Sequence, residues 1–318
     1  MADTFTKKQE NFIFSPKGLP YIFLGKNWEG RVVYHPQIIE KDGQYYLFYT
    51  GTTSAKAICF RHDIGLAISS DLKEWQRHKG NPVLSPGKTG AWDSDLVAHS
   101  FIIKKDDLYY MFYDGSPKGE WSEVIGLATS ADLLNWQKHE NSPVLQGKDS
   151  WWDKNHVSRC GVFWENGLYY MFFAGHDGLV ERIGLATSPD LLYWQKQSPE
   201  PVLDLGTKGE WDEQHISDPR VIKFNDIFLM FYTGYDKKGK GRLGLAYSQD
   251  LLRWQRFKQN PIMGIGQPGD WDQDEACRAD IFQDKEQYFI IYSGRKGSKF
   301  RIGLAQLDLP KILSQIHV

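Results

Sequence analysis

One five-residue motif recurs along this chain at a nearly fixed interval. Asp-Leu-x-x-Trp occurs at Asp71–Trp75, Asp132–Trp136, Asp190–Trp194 and Asp250–Trp254, and its tryptophans are 61, 58 and 60 residues apart. Between copies lie a Trp-Asp corner, short stretches rich in β-branched and aromatic residues, and turns of Gly, Asp, Asn and Lys. The clearest copy runs from Trp211 to Pro261. Stretches of that kind read as strands, four to a unit, joined as an antiparallel meander. A sheet this small can bury its two faces only against neighbouring copies, so the predicted fold is an all-β propeller with four antiparallel strands per blade.

The two ends of the chain complement each other. A fifth unit starts at Trp271 and reaches Arg301–Ala305, but then enters Leu307-Asp308-Leu309-Pro310 with no further Trp. Asn11–Ser15 aligns with the tail of the complete units. It is expected to supply the missing strand of the last blade, closing a five-bladed ring and removing an open edge. A single domain over 1–318 follows, with residues 1–10 expected to be frayed.

Composition narrows the partners. The formal charge of −2, with no Lys/Arg block, gives no electrostatic footprint for nucleic acid or an anionic membrane. No apolar run approaches the roughly 20 residues of a membrane span, and the opening residues lack the apolar core of a signal peptide, so a cytoplasmic location is expected. Cys59, Cys160 and Cys277 are odd in number and lack metal-ligand spacing, which suits reduced thiols. Twelve Trp suit both blade packing and stacking on flat ligands, and the four repeated ones are expected in the core.

In such a blade, the loop entering the first strand and the loop leaving the second share one face of the ring. Seven residues past each corner Trp stand His35, His99, Arg159, Asp218 and Arg278; four past stand Val32, Leu96, His156, His215 and Glu275. Second strands end at Thr50, Asp114, Ala174, Thr233 and Ser293. One past the Trp, an acid recurs in every unit as Glu29, Asp93, Asp153, Asp212 and Asp272, which marks it as structural. Columns that break the repeat are the ones free to serve a ligand. Asp218 and Glu275 are each the lone acid of their column, in adjacent units, and two carboxyls so placed suit glycosidic cleavage.

At these residues the chain resembles the five-bladed propeller glycoside hydrolases, the furanosidase-like superfamily of families 43, 32 and 68. Ser217-Asp218-Pro219-Arg220 looks like the Arg-Asp-Pro motif of the invertase-like members. The resemblance implies that Asp218 tunes the acid or stabilises the transition state, and that Glu275 is the general acid. The family's third acid has no direct counterpart, because His99 fills its column. Asp95 is the preferred substitute as nucleophile or base, Asp114 the alternative, and either His35 or His99 a further candidate base.

His35, His99, Arg159, Arg220 and Arg278 are expected to converge on the central pocket, where they would bind an anion. Phosphate would make the enzyme a phosphorylase, and Asp218-Pro219-Arg220 is also similar to a motif of the family 130 mannoside phosphorylases. A uronic-acid carboxylate is the other anion. Trp121 and the Phe60-Arg61-His62 loop are expected to rim a sugar site. His156 and His215 read as packing rather than as a metal pair. No metal or cofactor is called for, and the expected partner is a small carbohydrate. A carbohydrate-binding propeller without catalysis is the remaining class.

Overall fold

A computed structural model describes residues 5–17, 28–52, 61–120 and 122–316, with side chains from Phe12 onward. After β1 (Phe5–Phe14), a first unit holds β2 (Val32–Lys41), β3 (Gln44–Thr52), β4 (His62–Ser69) and β5 (Gln76–Arg77). The second holds β6 (Leu96–Lys105), β7 (Leu108–Ser116), β8 (Val124–Ser130) and β9 (Gln137–Lys138). The third holds β10 (His156–Glu165), β11 (Leu168–His176), β12 (Glu181–Ser188) and β13 (Gln195–Lys196). The fourth holds β14 (His215–Phe224), β15 (Ile227–Tyr235), β16 (Gly241–Ser248) and β17 (Gln255–Arg256). The last holds β18 (Glu275–Asp284), β19 (Gln287–Lys296) and β20 (Lys299–Leu307), followed by the short helix α1 (Leu309–Leu313).

Each unit is an antiparallel meander with its two-residue strand paired to the third. The last unit has no such strand, and β1 pairs antiparallel with β20 instead, Phe14 opposite Ile302. This strand begins at Phe5, inside the segment expected to be frayed. Neighbouring units touch through single parallel bridges: His62 to Leu96, Gly241 to Glu275, and Val32 to Phe300, which joins the last unit to the first. β10 packs against β6 on one side and β14 on the other.

The repeat is held by a few contacts that recur from unit to unit. Each corner Trp pushes its indole between a glycine of the second strand and one of the third: Trp92 between Gly115 and Gly126, Trp211 between Gly234 and Gly244. A Cβ on either glycine would collide with the ring, so close approach is what fixes glycine there. The acid after the Trp accepts a buried tyrosine hydroxyl, Tyr113 to Asp93 at 3.1 Å and Tyr232 to Asp212 at 3.0 Å. It also pairs with a base from the two-residue strand: Arg77, Lys138, Lys196 or Arg256. The column expected to be structural is structural.

The tryptophans of these motifs are partly buried, and three lie edge-on against the preceding unit, Trp136 on Phe48, Trp194 on Phe112 and Trp254 on Phe172. They weld unit to unit, where edge-to-face pairs add roughly 0.5–1.5 kcal/mol beyond the area they bury.

Candidate active site

Every unit bends its first strand at the same place. The ladder between first and second strands breaks between Tyr34 and Gln37, Ala98 and Phe101, Ser158 and Gly161, Ser217 and Arg220, and Cys277 and Asp280. Inside each bulge one residue adopts a left-handed backbone: His35 (φ 52°), His99 (53°), Arg159 (51°), Asp218 (56°) and Arg278 (51°). None is glycine, so each conformation costs of order 1–3 kcal/mol. A bulge re-aims the side chain it carries, and these five belong to the column that breaks the repeat.

The bulges also join the units. The His35 N–H donates to Ser293 Oγ (2.9 Å), His99 to Thr50 Oγ1 (2.8 Å), and Arg278 to Thr233 Oγ1 (2.9 Å). Arg159 N–H donates to both carboxylate oxygens of Asp114, at 2.9 and 3.0 Å. The second-strand ends are thus joints between blade-sized units. Of the five, Ala174 alone has no side-chain acceptor to offer, and the bulge that follows it in the chain is that of Asp218.

Asp218 and His35 form a buried layer. Asp218 Oδ1 lies 3.1 Å from His35 Nε2, and both side chains are 2 % exposed, yet neither atom has a hydrogen bond of good alignment. Ser217 Oγ donates to the other carboxylate oxygen at 2.7 Å. The His35 and His99 rings are 4.1 Å apart. Burial, with His99 and Arg278 alongside, pulls His35 well below the usual histidine range, so its ring is neutral at pH 7.

Arg220 departs from expectation. Its Nη1 donates to the carbonyls of Cys160 (2.7 Å) and Pro219 (2.9 Å), and its Nε is 3.6 Å from Asp280 Oδ1. It lies two residues beyond the bulge, against the space that Gly161 leaves open, and does not line the cavity. Burial lifts Asp280 to about 6, with Arg220 opposing. This pair is packing within the structure rather than an anion site.

Above the bulges opens a cavity of about 430 Å³, lined by Tyr34, His62, Asp95, Leu96, His99, Ser116, Glu120, Glu123, Arg159 and Arg278. That volume suits a small organic ligand. Five expected residues line it: His62, Asp95, His99, Arg159 and Arg278. His35 and Asp114 are buried and touch His99 or Arg159 from behind the lining, and Asp218 is buried beside His35. Trp121 and Phe60 lie outside the described residues. Arg61 turns away, 65 % exposed and paired with Asp63.

Glu275 is close to this cavity but committed elsewhere. Arg278 Nη1 and Arg295 Nε both donate to its carboxylate, the latter at 2.5 Å. Burial alone would raise its pKa, but the two guanidinium groups outweigh burial and hold it below the carboxylate range. A carboxyl so held is ionised at neutral pH and stores no proton for a leaving group, contrary to the role expected of it.

The sequence reading passed over one column, the residue three before the glycine of each Ile/Leu-Gly-Leu-Ala strand: His62, Glu123, Glu181, Gly241 and Phe300. It varies from unit to unit just as the bulge column does, and that variation was the available signal. Glu123 lines the cavity, and its Oε2 is buried without a hydrogen-bond partner among the described residues. Its counterpart Glu181 is locked to Arg159 at 2.5 Å. Burial opposes ionisation there, yet Arg159 and His156 hold Glu181 far below the usual range.

Tyr34 was also missed. Its hydroxyl lies 3.1 Å from His99 Nε2, and His99 Nδ1 lies 2.6 Å from Asp114 Oδ2. Burial pulls His99 down to about 3 and pushes Asp114 well up, Arg159 opposing the latter.

Among the described residues, one group has ligand atoms close enough to share a cation: His99, Asp114 and Glu123, all within 4.8 Å. Both ring nitrogens of His99 are engaged, however, and Asp114 takes the Arg159 N–H, so the group reads as a hydrogen-bonded chain. His156, His176 and His215 stack nearly parallel, with centroids 4.6 and 6.4 Å apart. Parallel rings cannot aim their in-plane nitrogens at one ion, which supports a packing role.

The chain is similar to known carbohydrate-active proteins. The model of the glycosyl hydrolases family 32 N-terminal domain matches residues 99–266, and that of β-1,4-mannooligosaccharide phosphorylase matches residues 7–164. A β-1,2-mannobiose phosphorylase of Thermoanaerobacter sp. (strain X514) is 26 % identical over 304 residues, covering 90 % of this chain and 93 % of that one. A 1,2-β-oligomannan phosphorylase of the same organism is 26 % identical over 251 residues, covering 74 % and 76 %. Among solved structures, the β-1,2-mannobiose phosphorylase of Listeria innocua superposes with a TM-score of 0.78 at 16 % identity, covering 98 % of each chain.

Proposed function

The chain belongs to the superfamily of propeller glycosidases that takes in glycosyl hydrolase family 32 and the mannoside phosphorylases, and from that premise we propose that it hydrolyses a glycosidic bond in its central cavity. The five units are read as five blades, closed by β1 on β20 and by the Val32–Phe300 bridge. The substrate is a short oligosaccharide or glycoside seated among Tyr34, Asp95, His99, Glu123, Arg159 and Arg278.

The observation that carries this reading is Glu123: a carboxylate on the cavity wall with a buried oxygen free to take a proton from water or to meet an anomeric carbon. Asp95 is the second carboxylate of the lining. Asp218 acts from behind, holding His35 and with it the packing of His99.

The acceptor is inferred from charge. Asp95, Glu120 and Glu123 line the cavity against two guanidinium groups, and those two are already paired with Glu181 and Glu275. Such a wall repels a phosphate dianion, and water is the better partner for it. Phosphorolysis is the second reading, favoured by the full-length similarity to mannobiose phosphorylase and by Arg159 and Arg278 lying on one wall.

The test is to offer β-1,2-mannobiose and a panel of aryl furanosides and pyranosides with and without inorganic phosphate. Release independent of phosphate is the expected result, and release only in its presence overturns hydrolysis in favour of phosphorolysis. No cleavage of any member under either condition would leave a carbohydrate-binding role.

A further inference from the structure

We infer that the leaving sugar oxygen receives its proton from Tyr34, with His99 and Asp114 queued behind it as a relay. This rests on the glycoside-cleaving reading and supplies the acid that reading lacks, since Glu275 is held ionised by two guanidinium groups.

Three observations converge. Tyr34 breaks its own column: the residue before the bulge is Tyr34 in the first unit and Ala98, Ser158, Ser217 and Cys277 in the others. Its ring lines the cavity and is held by His35, His62, His99 and Phe300, with centroids 5.3, 6.1, 5.4 and 5.7 Å away. Its hydroxyl is the outer end of an unbroken line, Tyr34 Oη to His99 Nε2 (3.1 Å) and His99 Nδ1 to Asp114 Oδ2 (2.6 Å).

The inner end of the line is built to change charge. Both oxygens of Asp114 face the N–H of Arg159, so a carboxylate formed there is hydrogen-bonded at once. Burial favours the protonated acid beforehand and a neutral His99 beside it. With the proton on Asp114, His99 accepts at Nδ1 and donates from Nε2 to Tyr34, which leaves the tyrosine O–H directed to substrate.

The step balances. As the bond between the anomeric carbon and the glycosidic oxygen breaks, its electron pair goes to that oxygen, which takes the proton of Tyr34. Tyr34 Oη takes the proton from His99 Nε2, and His99 Nδ1 takes the one from Asp114, leaving a carboxylate. Water bonds to the anomeric carbon and gives its proton to Glu123. After product leaves, the proton on Glu123 is lost to solvent and Asp114 regains one, restoring the start.

The measurement is leaving-group dependence, made with inorganic phosphate present so that either acceptor is served. Tyr34→Phe keeps the ring and its packing but carries no proton. It should lose about 10²–10⁴-fold on alkyl glycosides or disaccharides, yet cleave 2,4-dinitrophenyl glycosides, which need no protonation, close to the wild-type rate. Asp114→Asn should show the same split, and Glu123→Gln should lose on both substrate classes. Equal loss by Tyr34→Phe on both classes, or no loss on either, overturns the relay while leaving the glycosidase reading intact. A wild-type chain silent on every glycoside overturns both.

Discussion

The corner frame and the strand bulges of this molecule treat side chains in opposite ways. In the frame, a Trp, an acid, a tyrosine hydroxyl and a base recur in nearly every unit, and the acids are held by those partners. In the first strands, five bulges of nearly identical φ present two His, two Arg and one Asp. Glu123 and Glu181 sharpen the contrast, because they occupy one column in adjacent units. One is locked to Arg159 and the other has a buried oxygen without a partner among the described residues. Repetition builds the frame, and departures from it build the chemistry.

The contrast can be broken first at Glu123. Glu123→Gln is expected to lower kcat by about 10²–10⁴-fold with the thermal transition unchanged, since no partner of its Oε2 is lost. Steady-state rates and a melting curve decide it; an unimpaired rate would move the chemistry to Asp95.

Glu275 should behave as a frame residue that happens to stand near the cavity. Glu275→Gln leaves Arg278 and Arg295 without their counter-charge and is expected to destabilise the fold by about 3 kcal/mol, as broken buried pairs do. The pH dependence has a definite sign. The folded pKa lies below the ordinary value of 4.5, so the wild-type stabilisation is fully present above pH 4.5 and lost as pH falls through the folded value. Denaturant titrations at several pH values should show the glutamine variant lacking that acid-dependent component.

In the frame, Asp212→Asn should cost about 1–2 kcal/mol with kcat unaltered, because it weakens the bonds from Tyr232 and Arg256, and none of the three lines the cavity. Urea unfolding beside an activity assay separates the two effects.

The smallest effect tests the joints. Ala174 stands where the other units carry Thr50, Asp114, Thr233 and Ser293, each accepting the bulge N–H of the next unit. Ala174→Ser offers Asp218 the missing acceptor and should stabilise by about 0.5–1.5 kcal/mol. A lowered midpoint of unfolding would show that the gap is required for packing around Asp218.

Much of the frame was legible from residues alone. The Asp-Leu-x-x-Trp motifs set the unit length, and the acid column was recognisable as structural because a residue required by every unit serves the unit. The bulge column was legible by counting from the corner Trp, and three of its members, His99, Arg159 and Arg278, line one cavity. The roles of its members were not legible. Glu275 and Glu123 are both acids at strand entrances in columns that vary from unit to unit, and only the approach of Arg278 and Arg295 to one of them tells them apart.

The sequence by itself determined the repeat, the all-β class, the pairing of the chain's two ends and the positions at which units differ. Each of these is local or periodic, written in spacing, turn residues and glycines that must admit an indole. Tertiary structure alone decided which carboxyl is ionised, which oxygen is left without a partner, and that Tyr34, His99 and Asp114 form a line. Those properties depend on charges and hydrogen bonds brought together from different units, at separations along the chain that no motif encodes.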